Sequence, residues 1–205
     1  LYNTTVLTNS DKLYVPGGVK VSFTLVENTD GTLNLSYTTS QAQSTAPTIT
    51  LKYPTLTFKD EVLINAFFVV SDWSNVADCG MITYSSSISN HNIYNAENII
   101  PGMVYDSSTG YYCATSQGIE AKRLGDTVYL AIYCHLNDGT YVYSKLANYS
   151  PKTYAYNQLK SSTDSEVRAL MVAMLNYGAA AQSFFGYNTG ALVNQTLTAA
   201  QRSLV

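Results

Sequence analysis

The sequence predicts an α+β fold, a β-sandwich or stacked antiparallel sheet with a C-terminal helical hairpin packed on one face. Three observations carry that prediction. Through residue 149 the chain is written in short stretches where apolar residues alternate with Thr, Ser and Tyr, the period of half-buried strands. One stretch, VLINAFFVV at 62–70, is apolar on both faces and needs cover on both sides. From Ser150 onward the pattern turns Ala-, Leu- and Met-rich at helical spacing.

In chain order, residues 1–46 form an N-terminal β-hairpin region. Val19, Val21, Phe23 and Leu25 alternate with Lys20, Ser22 and Thr24; Leu33, Leu35 and Tyr37 repeat the pattern beyond NTDG. The polar TTSQAQSTAP that follows has no apolar period and reads as a loop or linker. Residues 47–150 read as the sandwich. DSSTG at 106–110 and NDG at 137–139 sit between alternating runs and predict hairpin turns. The stretch VYLAIYCHLNDGTYVYSKL carries the strongest strand signal, with Val128, Leu130, Ile132 and Cys134 on one face.

Residues 151–205 form the helical segment. Ser150 before Pro151 is an N-cap followed by proline at the first helical position. Thr163 and Glu166 have capping-box spacing, and so do Thr198 and Gln201. Between them Val167, Leu170, Met171, Met174, Leu175, Gly178, Ala181 and Phe185 make an apolar stripe. Ala169, Val172, Ala173 and Ala180 lie opposite, which predicts a helix buried over most of its circumference and covering the Phe67 and Val69 face of the 62–70 strand. Gly186 is placed to end it in a left-handed cap. Asn176 and Gln182 in mid-span and Arg168 at the edge argue against a membrane span, and no polybasic flank fixes an orientation.

Composition narrows the chemistry. Net charge is −3 with 12% charged residues, so neither nucleic acid nor an anionic membrane surface is a natural electrostatic partner. Eighteen tyrosines among abundant Ser, Thr and Asn match extracellular β-proteins and adaptable contact surfaces. The three cysteines, Cys79, Cys113 and Cys134, show no CxxC and no metal-ligand spacing. Cys134, on the inward row of its strand, reads as a buried thiol, and one bridge among the three stays open. The chain begins at Leu1 without Met, a signal peptide or a basic n-region, which reads as a piece of something longer.

No catalytic constellation emerges, and no cofactor is implied. His91 and His135 lack HExxH or Cys/His spacing; Asp60, Glu61, Asp72 and Asp78 supply carboxylates, of which Asp60-Glu61 reads as a solvated pair. There is no GxSxG, P-loop or GxGxxG. NTDG and DWSNVAD lack the alternating ligands of a calcium loop, and Lys20, Lys52 and Asn65 make an isopeptide crosslink conceivable without any spacing that demonstrates it. The candidate binding residues are Trp73, the only tryptophan, in a loop after the buried strand, with His91 and Tyr94 in the polar SSSISNHNIYNAEN.

The segments YPTLTFKDEVLINAFF, IIPGMVYDSSTGYYCATSQGIEAKRLGDTVYLAIYCHLNDGTYVYSKLANYSPKTYAYNQL and above all ALMVAMLNYGAAAQSFFGYNTGALVN resemble a repeated domain of large secreted and wall-attached proteins of gut Firmicutes. The resemblance spans roughly residues 50–205. It implies an extracellular, modular and non-catalytic domain among other domains of one long chain. Some superantigen-like surface proteins with domains of this kind bind immunoglobulin heavy chains. The resemblance therefore implies a host protein such as immunoglobulin as partner, with a carbohydrate-binding module or a ligand-free spacer as the other readings. It transfers no catalytic residue.

Overall fold

Alternating apolar and polar residues produce antiparallel strands in both units into which the chain divides, Leu1–Ala46 and Pro47–Val205. The computed structural model describes residues 3–7, 19–41, 46–58 and 61–205, with side chains for 21–38, 46–58 and 61–205. Asp60, the Lys20 side chain and part of the polar stretch after the first hairpin lie outside the described residues.

In the first unit, strands β1 (Asn3–Leu7), β2 (Val19–Glu27) and β3 (Leu33–Gln41) form a sheet in the order β1-β3-β2. The register pairs Phe23 with Tyr37 and Leu25 with Leu35, so one face collects the apolar residues. The NTDG turn is tied by Asp30, whose carboxylate accepts from the Thr32 amide at 3.0 Å and hydroxyl at 2.6 Å.

The second unit begins with β4 (Ile49–Phe58), β5 (Val62–Val70) and β6 (Val76–Tyr84). Next come β7 (Asn98–Pro101), β8 (Val104–Asp106) and β9 (Tyr111–Thr115). The last strands are β10 (Val128–Leu136), β11 (Tyr141–Tyr143) and β12 (Ala147–Tyr149). One sheet runs β4-β5-β9-β8; the other runs β11-β10-β6-β7, with β12 also paired to β10. The DSSTG and NDG turns join β8 to β9 and β10 to β11. Ile64, Ala66 and Phe68 of β5 are fully buried against a core that includes Met81, Leu130 and Ile132 of the other sheet. Cys79 and Cys134 face each other across β6 and β10 and form a disulfide in this core. Cys134 is buried as its position in the strand predicts, but as half of a bridge. Cys113 is free and half-buried, and burial pushes its thiol pKa up.

Helix α1 (Pro151–Ser161) starts at Ser150, whose hydroxyl accepts from the Thr153 amide at 3.1 Å. Helix α2 (Ser165–Phe185) is capped by Asp164 rather than Thr163: its carboxylate accepts from the Glu166 amide at 2.8 Å and the Val167 amide at 3.3 Å. A charged acceptor at a helix N-terminus outcompetes a hydroxyl one residue earlier. Gly186 closes α2 at φ 64°, and Thr198 and Gln201 complete a capping box on α3 (Ala199–Arg202). Among the described residues no helix is long and apolar enough to cross a membrane.

The helices bury Leu159, Met171, Val172, Leu175 and Val193 in a second core. Phe58, Val62, Ile119 and Tyr154 pack against both cores. Val62 lies in the inward row of β5, so the helices extend the cover that the opposing sheet gives that face. Phe67 and Val69, on the other face, are half-buried instead; Phe67 lies against Tyr53 with ring centroids 5.0 Å apart. Nor is α2 buried over most of its circumference, since Leu170, Ala173, Tyr177, Ala180 and Phe184 are exposed. An apolar residue carries no mark of whether it is covered, so the stripe was visible in the sequence and its cover was not.

Candidate functional site

The outward row of β10 is Tyr129, Ala131, Tyr133 and His135. The register sets His135 between Asp78 of β6 and Tyr141 of β11, and Tyr133 between Gly80 and Tyr143. Gly80 is required there, because a β-carbon would lie 2.8 Å from the Tyr133 ring and against the Ile100 carbonyl. Residues 85–97 fold back over part of this face, with Ile88, Ile93 and Ala96 packed on Ile82, Tyr84, Ala131 and Tyr133.

Polar contacts fix that segment. The Tyr84 hydroxyl accepts from the Asn92 amide at 2.9 Å and lies 2.9 Å from both the Asn92 carbonyl and Asn95 Oδ1. Burial raises the Tyr84 pKa, which keeps the phenol proton available for donation. The Ile93 amide donates to the Tyr143 hydroxyl at 3.0 Å, and the Tyr94 amide to Asn92 Oδ1 at 2.9 Å. His91 Nε2 lies 2.9 Å from the Ser144 carbonyl. A carbonyl only accepts, so this nitrogen carries the proton. His91 thereby pins the segment to the sheet.

The result is an aromatic surface. Tyr94 is 86% exposed and stands edge-on to Tyr141 at 6.3 Å. Tyr141 stacks on His135 at 4.6 Å with planes 19° apart, and is within 17° of parallel to Tyr143 at 6.5 Å. His91 meets Tyr143 edge-on at 5.9 Å. His135 Nδ1 is 3.2 Å from Asp78 Oδ2, which puts a carboxylate at the rim. Neither histidine ring is hydrogen-bonded to a hydroxyl or thiol among the described residues.

Two of the three residues singled out in the sequence, His91 and Tyr94, are thus brought together. Trp73 is elsewhere: half-buried in the turn after β5, its ring 4.4 Å from Tyr112 and packed against the inter-sheet core. Sequence alone does not single out Tyr141 and Tyr143, and it offers His135 and Asp78 only as a histidine without ligand spacing and a spare carboxylate, not as contact residues. The signal was present, because TYVYS puts both tyrosines on one face and the NDG turn sets the register against β10. The inward row of β10, Val128, Leu130, Ile132 and Cys134, is the more apolar of the two and dominates the pattern over the outward row.

Two other regions compete less well. A cleft of about 180 Å³ between the sheets is lined by Glu97, Asn98, Gln117, Arg123 and Asp126 among others. Its charged groups are already engaged: Arg123 Nε donates to Asp126 at 2.9 Å, where the Tyr187 hydroxyl also donates at 2.8 Å, and Glu97 accepts from the Ser85 hydroxyl at 2.6 Å. The outer face of the β4-β5-β9-β8 sheet carries Tyr53, Phe67 and Tyr111 with the Lys52 ammonium over the Tyr111 ring, while the Asn65 amide pairs with Thr57 and Thr115. Lys52 and Asn65 therefore have separate partners. Among the described residues no three His, Cys, Asp or Glu side chains are grouped to hold a metal ion. No protein family, curated protein or solved structure matches the chain.

Proposed function

We propose that this chain is a non-catalytic binding module of an extracellular bacterial surface protein, and that it recognises a host protein such as immunoglobulin through the surface around Tyr94, Tyr141 and His135. The observation that carries the reading is Tyr94 itself. It is a large amphipathic ring held out in solvent by a segment whose backbone is tied down before it, at Asn92 and Ile93, and after it, at Asn95 and Glu97. Such an anchor loses little conformational freedom on binding, the property that makes tyrosine dominate protein contact surfaces. The asparagines around it and Asp78 supply a polar rim. The extracellular setting and the choice of immunoglobulin rest on the family resemblance.

A glycan is the second reading, favoured by the near-parallel planes of Tyr141, Tyr143 and His135 beside a carboxylate. Titration of immunoglobulin Fab with wild type, Tyr94→Ala and Trp73→Ala, beside a glycan array, separates the readings. For a protein partner, Tyr94→Ala weakens Fab binding roughly 30-fold, about 2 kcal/mol, chiefly through faster dissociation. Trp73→Ala is expected to lower the melting temperature more than the affinity. Binding to glycans alone moves the assignment to the second reading. Equal Fab affinity of Tyr94→Ala and wild type removes the site from the reading, and no binding at all leaves a spacer.

A further inference from the structure

Helix α2 shows solvent a face that a monomer does not need. Successive residues turn by about 100°, so Glu166, Leu170, Ala173, Tyr177 and Phe184 fall within about 40° of one line. On that line Tyr177 is 68% and Phe184 84% exposed, with Leu170 at 48%. Beside Tyr177 runs a groove of about 370 Å³ between α2 and the 117–121 segment, lined by Phe58, Val62, Leu124 and Met174 together with the acidic Glu61 and Glu120. An exposed apolar stripe beside a groove with an apolar floor and acidic groups is the signature of an interaction surface.

The stripe is symmetric about its centre. Leu170 and Phe184 lie equally far from Tyr177, one on each side, and alanines occupy the intervening turns. We infer that the occupant is a second copy of this chain, packed with its α2 antiparallel and the two-fold axis through Tyr177. Leu170 of each copy then faces Phe184 of the other. The two Tyr177 rings pass each other at the axis, each entering the groove beside the other. Charge agrees with this direction. Glu166 is exposed in the first turn of α2, and Lys122 lies over the Phe185 ring at the opposite end, 5.2 Å from its centroid, where it also pairs with Glu120 at 3.3 Å. Antiparallel packing brings Glu166 of each copy towards Lys122 of the other, whereas parallel packing sets Glu166 against Glu166. The helix dipoles also oppose.

The area sets the strength. Three aromatics, Tyr177, Phe184 and Phe185, are 64–84% exposed. At about 150–250 Å² for each ring, a symmetric pair buries on the order of 1,000 Å² with Leu170 and the alanines included. That lies at the lower limit for a specific interface, so the dimer is weak and reversible.

Sedimentation velocity of the full chain across the micromolar range tests this. A shift from monomer to dimer with concentration is expected, with Tyr177→Glu, a surface change, weakening association tenfold or more at unchanged circular dichroism and melting. Variants with one added free cysteine in a Cys113→Ser background, the Cys79–Cys134 bridge kept, test the direction on oxidation with diamide without needing a tight dimer. Tyr177→Cys should crosslink to itself, and Leu170→Cys only to Phe184→Cys in a mixture. A monomer at every concentration, a dimer indifferent to Tyr177→Glu, or Leu170→Cys crosslinking to itself would each overturn the inference.

Discussion

A β-carbon at position 178 would lie 2.9 Å from Val193 Cγ2, 3.0 Å from Leu124 Cδ1 and 3.3 Å from the Ala121 carbonyl oxygen. Glycine in mid-helix costs about 1 kcal/mol against alanine, and this crowding is what it serves. The sequence places Gly178 on the buried stripe and predicts close approach to the sheet. The approach is to the 121–123 turn and to Val193 instead. Gly178→Leu should lose roughly 1–3 kcal/mol or more in chemical denaturation, because four carbons cannot fit where one is already tight. An unchanged midpoint would mean that α2 does not pack there. The next turn carries a matching polar device. Gln182 is buried, and its side-chain oxygen accepts from the Val193 amide at 2.8 Å. Gln182, one of the polar residues that argue against a membrane span, thus fastens the C-terminal segment to α2.

Turns and caps repeat one short solution. In DGT, DWS, DSS and DGT, the carboxylates of Asp30, Asp72, Asp106 and Asp138 accept from the amide and hydroxyl of the Ser or Thr two residues on. Hydrogen bonds from Thr32, Ser74, Ser108 and Thr140 hold all four pKa values below the usual carboxylate range. A group whose pKa is depressed on folding stabilises the fold above its unfolded pKa, near 4, and loses that contribution as pH falls through the folded value. Stability should therefore decline in acid below about pH 4, and Asp138→Asn should shrink that decline. An identical acid limb in the variant would remove the turn from the explanation. The β2–β3, β8–β9 and β10–β11 hairpins and the caps at Ser150 and Gly186 are legible in the sequence, because each is decided within a few residues; the shared Asp bonding pattern is not among the expectations drawn from it. The aromatic surface was only half legible. His91 and Tyr94 stand out as large polar-tipped rings in loop sequence, but their meeting with Tyr141 depends on residues 85–97 folding over the sheet, which no local pattern encodes.

For the Pro47–Val205 unit as a whole, the Cys79–Cys134 bridge links the middle strands of one sheet across 55 residues of sequence. Closing a loop of that length in the unfolded chain is worth roughly 4 kcal/mol in the entropy account. Reduction should lower the melting temperature by many degrees, while Cys113→Ser should leave it almost unchanged; equal melting with and without reductant would show the bridge to be energetically idle. The same bridge also has a mechanical meaning. A pull applied to the two ends of the chain crosses from Cys79 to Cys134 through sulfur, and the backbone between them bears no tension. About 180–200 Å of potential extension is withheld, at about 3.3–3.6 Å per residue over the 55-residue separation. Residues 85–97 lie inside that bypassed stretch, so the loop that presents His91 and Tyr94 is off the load path while strands on either side of the bridge are drawn taut.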